Sequence, residues 1–512
     1  MELSRDMVYL LILGCYLVAV VAIGLITGRG AKKGSDYFLG GRRIGPWVTA
    51  FSFVAAYYSS VLIIGGGGFG YKFGMASIWV GAINVLVGCF LAWAVLGRRL
   101  RRMTHRLDTI TVPGFFAERF GSPSARLFSA AIIILFLTIY NVAVLKGMGN
   151  TLEVLMGWPY WLAVIVSGAI ILLYVSVGGY LAVVWTSFIQ AWVMIFGLIF
   201  LTVFALIHVG GLENLNASLA AINPGLMQTP GVWGWAGLIS YSLIVSFGVW
   251  GMPQLVIRFY SIKRANLLRI GTVLAVVGGS VALLPYLNGA VARVLYPNLA
   301  SLYPNVDPAK VADLAIPTLV KGILPSWAGG LLLAGVVAAG MSTFAAILII
   351  VSSAVVRDLV QKGLRVKMSE KKIVLWGRVV SLAAGVVSLL IALRPPDLIL
   401  VITAFAWAVI ASTNLWPTLF GVYWRGTSKA GTVASMVSGA SLALIWQVLV
   451  RAGADPMVFI WKWLALLGVK VGVPPSIHGF IPGIVVALAV IVIVSACTKK
   501  PDPKRLKQAF GK

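Results

Sequence analysis

Acidic residues are scarce in this chain: 14 Asp and Glu stand among 512 positions, against 41 Lys and Arg, for a formal net charge of +27. Charged residues together make up 11% and hydrophobic ones 60%, where a soluble chain carries about 25% charged. That deficit excludes a soluble globular protein. Strand alternation is missing too, which excludes an outer-membrane barrel. Cysteine and histidine number three each. Cys15, Cys89 and Cys497 are odd in number and far apart, and His105, His208 and His478 lack ligand spacing, so neither a disulfide framework nor a metal site of that kind is expected. No H-E-x-x-H or G-x-S-x-G motif occurs, which argues against a hydrolytic enzyme.

What the chain has in abundance is apolar runs near the length that crosses a bilayer core. We read about thirteen of them, at 7–27, 47–71, 75–97, 127–149, 159–177, 182–208, 234–257, 270–296, 329–356, 373–393, 398–424, 430–450 and 478–497. The expected fold class is an all-α polytopic membrane protein. The first run is not read as a signal peptide, because Arg29, Lys32 and Lys33 follow it and no A-x-A-like cleavage site appears. Threading the runs with the N-terminus outside puts most of the 41 basic residues on one side, in loops from Arg29 to Arg43, Arg98 to Arg126, Arg258 to Arg269, Arg357 to Arg378 and Arg425 to Lys429, and in the tail from Lys499. That bias marks the cytoplasmic side of a plasma-membrane protein. It also accounts for the basic excess without a nucleic-acid partner.

None of the acids falls well inside a run, so a cation held at membrane depth would have to be bound by neutral oxygens. AAGMSTFAAILII (338–350) places Ser342 and Thr343 side by side deep in one. Either the pair bonds back to carbonyls of its own helix or it holds something else. Two runs contain helix punctuation: TAFSFVAAYYSSVLIIGGGGFGYKFG (49–74), with Gly65 to Gly68 consecutive, and LIVSFGVWGMPQLVIRF (243–259), with Gly248, Gly251 and Pro253. Interrupted helices are tolerated in hydrocarbon where they line a cavity. Five crossings separate the starts of the two, so the second would enter the membrane inverted relative to the first, a pattern that points to a transporter site. The repeats would cover 47–208 and 234–424, with 7–27 and the two helices of 430–497 peripheral and 498–512 a basic tail. A channel would need subunit symmetry or parallel repeats, and neither is visible.

The loop DYFLGGRRIGPW (36–47), the stretch GGYLAVVWTSFIQAWVM (178–194), GMPQLVIRF (251–259), MSTFAA (341–346) and the turn WRGTSKAG (424–431) together resemble the sodium:solute symporter family, whose members carry proline, pantothenate, monocarboxylates and sugars. The resemblance implies a LeuT-type fold of 5+5 inverted repeats and alternating access. It also implies a sodium site made by the carbonyls of Ala55, Tyr58 and Ala339 and the hydroxyls of Ser342 and Thr343. Many relatives carry Asp where this chain has Tyr57 and Ser187, so one coupling ion per cycle is expected. A proton-coupled or sodium-independent carrier is the remaining alternative.

A solute pocket between the two interruptions would draw on Tyr57, Ser59, Ser60, Tyr140, Ser246 and Trp250. It lacks the acids and amides that would hold a sugar. A small organic carboxylate is the first expectation, an amino acid such as proline the second. With a monovalent anion, one-to-one sodium coupling would be electroneutral. Lys146 is the basic residue clearly within a run. It is expected to snorkel to the outer interface, or else to pair with an anionic substrate or replace a second cation. The carrier is expected to work as a monomer in the bilayer.

Overall fold

The computed structural model describes residues 4–28, 33–466 and 477–511. Arg29 and Lys32 of the first basic cluster, the 467–476 stretch and Lys512 of the tail lie outside them. The described residues form helices and short connections, and among them eleven stretches are long and apolar enough to cross a membrane, with Tyr160–Leu173 a shorter twelfth. One of the eleven, Val61–Arg106, doubles back at Gly74 (φ 63°, ψ −143°) and so contains two crossings. Each of the expected apolar runs therefore has a helical counterpart. This is a multi-pass membrane protein.

The elements that frame the centre are α1 (Pro46–Tyr57) and α2 (Gly67–Phe73), the two halves of one broken helix, and α3 (Pro123–Met156). The run Tyr160–Val209 bends sharply at Gly179, where φ is 60°, which a side chain would strain. Its second half, 180–209, is α4. A second broken helix follows as α5 (Gly234–Phe247) and α6 (Pro253–Ser261). Then come α7 (Leu284–Leu295), α8 (Ala315–Ile323), α9 (Ser326–Ser353) and α10 (Ile399–Tyr423). Helix starts follow local chemistry: Ser122 accepts a hydrogen bond from Ala125 N, with Pro123 in the first turn of α3.

Helix α9 is the axis of the bundle. Its most apolar window is 100% buried, against 28% for Glu370–Ala392, a peripheral helix. Small residues allow such packing. Gly70 and Gly289 let α2 and α7 touch backbone to backbone, and a Cβ on Gly289 would lie 1.9 Å from Gly67 O. Gly289→Ala is therefore expected to cost about 1–3 kcal/mol or more by overpacking, read as a lower unfolding temperature of the detergent-purified protein.

On the face that carries the basic clusters, the chain before α1 pairs with the chain after α6: Lys263 N donates to Ile44 O at 2.9 Å, and Arg101 Nε donates to Ile262 O at 2.6 Å. The tail forms a final helix, Pro503–Phe510, whose Phe510 carbonyl accepts from Arg106 at 2.6 Å and whose ring lies 4.9 Å from the Arg119 guanidinium.

Candidate functional site

The break in the first discontinuous helix is not where the glycines stand. Gly65 to Gly68 are helical, and their missing side chains make room for neighbours: a Cβ on Gly67 would lie 2.1 Å from Ile316, and one on Gly68 2.9 Å from Ala312 O. The chain leaves the helix at Tyr58 (φ −92°, ψ 72°). Tyr58 N closes the last turn on Val54 O at 2.8 Å, so the carbonyls of Ala55 and Ala56 lie past the end of the ladder. The second break runs through Gly248–Gly251 to Met252 (φ −82°, ψ 113°), and Pro253 starts α6.

Those two orphan carbonyls face the hydroxyl pair of α9. Ser342 Oγ is 2.8 Å from Ala55 O and 2.8 Å from Ala339 O, and Thr343 Oγ1 is 3.1 Å from Ala56 O. All five residues are buried. The hydroxyls thus reach across to the broken helix, Ser342 while also touching its own helix. Of the expected oxygens, those of Ala55, Ala339 and Ser342 meet directly, Thr343 sits beside them on Ala56, and the Tyr58 carbonyl makes no hydrogen bond to either hydroxyl. Tyr58 is anchored by its Oη, which donates to Gly279 O at 2.7 Å. Among the described residues no group of three or more His, Cys, Asp or Glu is placed to hold a metal. A cluster of carbonyl and hydroxyl oxygens without charge fits a hard monovalent cation rather than a transition metal. Ser187, buried on α4, leaves its hydroxyl without a partner.

Beside the break lies a cavity of about 40 Å³ lined by Tyr57, Ser59, Asn84, Tyr140, Tyr286 and Trp407, among others. Such a space holds only a few waters, so a solute enters only when a wall moves. Tyr57, Ser59 and Tyr140 are there as expected, with Ser59 Oγ 3.3 Å from Tyr140 Oη. Three other expected contacts are not. Ser60 donates away to Val144 O at 2.8 Å, Trp250 Nε1 donates to Val87 O at 3.1 Å, and Ser246 stands behind the lining residue Val245 with its hydroxyl unpartnered. The sequence reading missed Asn84, Tyr286, Thr403 and Trp407. Thr403 and Trp407, four apart on α10, share a helix face, and a polar Asn84 within an apolar run was the other available signal.

Lys146 does not snorkel. It is buried, and its Nζ lies 2.6 Å from Asp313 Oδ2 and 2.9 Å from the Asp397 carbonyl. Asp313 also accepts from Ile399 N at 3.1 Å. With its ammonium already matched by an internal carboxylate, Lys146 is not a free partner for an anionic substrate. Asp313 lies between the apolar runs, just before α8, yet the short 3₁₀ turn that carries it packs against α2 and α3 and buries it. Burial pushes its carboxyl above the usual range, and Lys146 pulls it back. The link ties α3, this turn and the start of α10 together on the face opposite the basic clusters.

A twice-broken helical bundle with an uncharged oxygen cluster at one break and a small cavity beside it defines a membrane transporter of LeuT-type fold. The sodium:solute symporter family profile matches residues 37–439, and the chain belongs to that family. It is 31% identical over 510 residues to the osmoregulated proline transporter OpuE of Bacillus subtilis, covering 98% of this chain and 96% of that one. To a sodium/proline symporter of Staphylococcus aureus it is 30% identical over 500 residues, covering 96% and 93%. Among solved structures it is similar to a Na+-coupled sialic acid symporter in a substrate-bound outward-open state, with a TM-score of 0.77, 18% identity and coverage of 97% and 99%. A nucleobase-cation-symport-1 family transporter in a closed conformation has a TM-score of 0.53, 15% identity and coverage of 94% and 99%. These two likenesses speak to the fold.

Proposed function

We propose that the protein is a sodium-coupled symporter of a small amino-acid zwitterion of the proline type, working by alternating access as a single chain. The observation that carries this reading is the meeting of Ser342 and Thr343 with the orphan carbonyls of Ala55 and Ala56, directly beside a cavity with no charged lining residue. One sodium ion would bind among the Ala55, Ala56, Ala339, Ser342 and Thr343 oxygens. The solute would take the neighbouring space, lined by Tyr57, Ser59 and Tyr140. The segments 47–208 and 234–424 would act as opposed repeats around this point, with the basic face cytoplasmic.

The proline-type reading displaces the organic anion as first choice. An anion would need a free cation near the pocket, and Lys146 is committed to Asp313. Two relatives carry proline in their names, which supports the same choice.

The two solute classes differ in charge moved. Sodium with a zwitterion carries one net charge, worth about 2.3 kcal/mol per 100 mV; sodium with a monovalent anion carries none. In proteoliposomes with a sodium gradient, an inside-negative potential is expected to speed proline uptake severalfold. Uptake indifferent to voltage would contradict the zwitterion reading. Uptake driven by a proton gradient in the absence of sodium would contradict the choice of ion.

A further inference from the structure

Five residues of the cavity wall are aromatic: Tyr57, Tyr58, Tyr140, Tyr286 and Trp407. Tyr57 and Trp407 lie nearly parallel, at 15° with centroids 6.1 Å apart, and Tyr140 stands edge-on to Trp407 at 86° and 5.8 Å. Most hydroxyls on this wall are already engaged. Tyr57 donates to Val245 O at 2.7 Å, Tyr58 donates to Gly279 O at 2.7 Å, Tyr140 is paired with Ser59, and Thr403 donates to Ile399 O at 2.9 Å. The wall therefore offers mainly ring faces. Three polar groups are left over: Asn84 Oδ1, buried without a donor, the Trp407 indole N–H, which is turned toward Tyr140, and the hydroxyl of Tyr286.

A zwitterion brings two charged ends to this space. Its carboxylate finds a donor in the Trp407 indole once that N–H turns from Tyr140. Its cation finds no carboxylate. A primary ammonium carries three N–H donors, and each one left without an acceptor after burial counts against binding. A substituted nitrogen carries fewer donors and spreads its charge over methyl or methylene groups, which the negative faces of aromatic rings attract.

We propose that this cavity selects for substitution at nitrogen: its substrate class is amino acids whose ammonium is secondary or tertiary, cyclic imino acids and N-methylated glycines among them. Tyr57, Tyr140 and Trp407 form the cage for the substituted cation, Trp407 Nε1 holds the carboxylate, and Asn84 Oδ1 takes a remaining N–H. The proposal rests on the zwitterion reading above and sharpens it.

Two pairs of isomers separate substitution from size. Alanine and sarcosine differ only in whether the methyl sits on carbon or nitrogen, and 2-aminoisobutyrate and N,N-dimethylglycine differ in the same way twice over. Each is titrated into the purified full-length protein in sodium buffer and followed by thermal stability and tryptophan fluorescence. The N-methyl isomer is expected to bind about tenfold more tightly in each pair, the size of a desolvated cation–π contact. Trp407→Leu should level each pair, while Trp407→Phe, which keeps a ring, should retain part of the preference and serves if the leucine variant does not fold. Equal binding within the pairs, a preference for the C-methyl isomers, no binding by any of the four, or a preference untouched in the variants would overturn the cage. Sodium-driven proline uptake is measured in parallel. Uptake without an isomer preference leaves symport standing and removes the cage; an isomer preference without uptake keeps the cage and removes coupled transport.

Discussion

Replacing both Ser342 and Thr343 with alanine is expected to abolish sodium-driven transport at ordinary sodium concentrations while leaving the protein folded. Alanine nearly fills the space of Ser342 and gives up one methyl at Thr343, and both hydroxyls hydrogen-bond only to carbonyls. Their loss leaves acceptors rather than donors unpaired, a cost of about 1 kcal/mol each. The expected fall in unfolding temperature is therefore small. For a bound cation the loss is larger, because two ligands disappear from a site that has no charged group to make up for them. We expect the half-saturating sodium concentration to rise about 100-fold or more, equivalent to about 1.4 kcal/mol per ligand. The single variants should each show part of the effect, Ser342→Ala the more, since Ser342 touches both Ala55 and Ala339. A double variant with sodium activation unchanged would place the ion elsewhere.

The second large effect concerns Lys146 and Asp313. Both side chains are buried and their charged atoms are 2.6 Å apart. Removing one member leaves the other as an uncompensated charge, a loss of about 3–5 kcal/mol. Lys146→Met and Asp313→Leu should each lower the unfolding temperature sharply. The double variant should recover most of the loss, since an apolar pair of similar volume replaces a buried ion pair at little cost. The coupling energy from that cycle is the quantity to measure. Additive losses would show that the two side chains do not depend on each other. Because the pair also holds the start of α10 through the Asp397 carbonyl and Ile399 N, the single variants should in addition make the face opposite the basic clusters easier to open, read as faster labelling of cysteines introduced along α10.

How far these features could be read from the sequence depended on how local their causes are. The spans were legible because length and hydropathy act over about twenty consecutive residues. Ser342 and Thr343 stood out for the same reason: two hydroxyls in an unbroken apolar run have few explanations. The role of the glycines in the first interruption was misjudged. Consecutive glycines look like unwinding, yet here they serve close packing against Ile316 and Ala312, while the helix gives way at Tyr58, a residue with no breaker chemistry of its own. What decides between those uses is the neighbouring surface, which lies in a different part of the chain. Lys146 was misread for a related reason. Its partner is 167 positions away, on a segment that hydropathy assigns to a loop and that the fold turns inward. The cavity wall was half legible: Tyr57, Ser59 and Tyr140 flank the break, whereas Tyr286 and Trp407 come from distant helices and look like ordinary core aromatics.

The measurement that bears most directly on the sodium site and its coupling to solute is the simultaneous flux of radioactive sodium and proline into proteoliposomes, taken for the unsubstituted protein and for the Ser342→Ala/Thr343→Ala variant. The account predicts one sodium ion and one net charge entering with each proline, and loss of both fluxes together in the variant. Proline accumulating without sodium, or sodium entry with proline that persists in the variant, would contradict it.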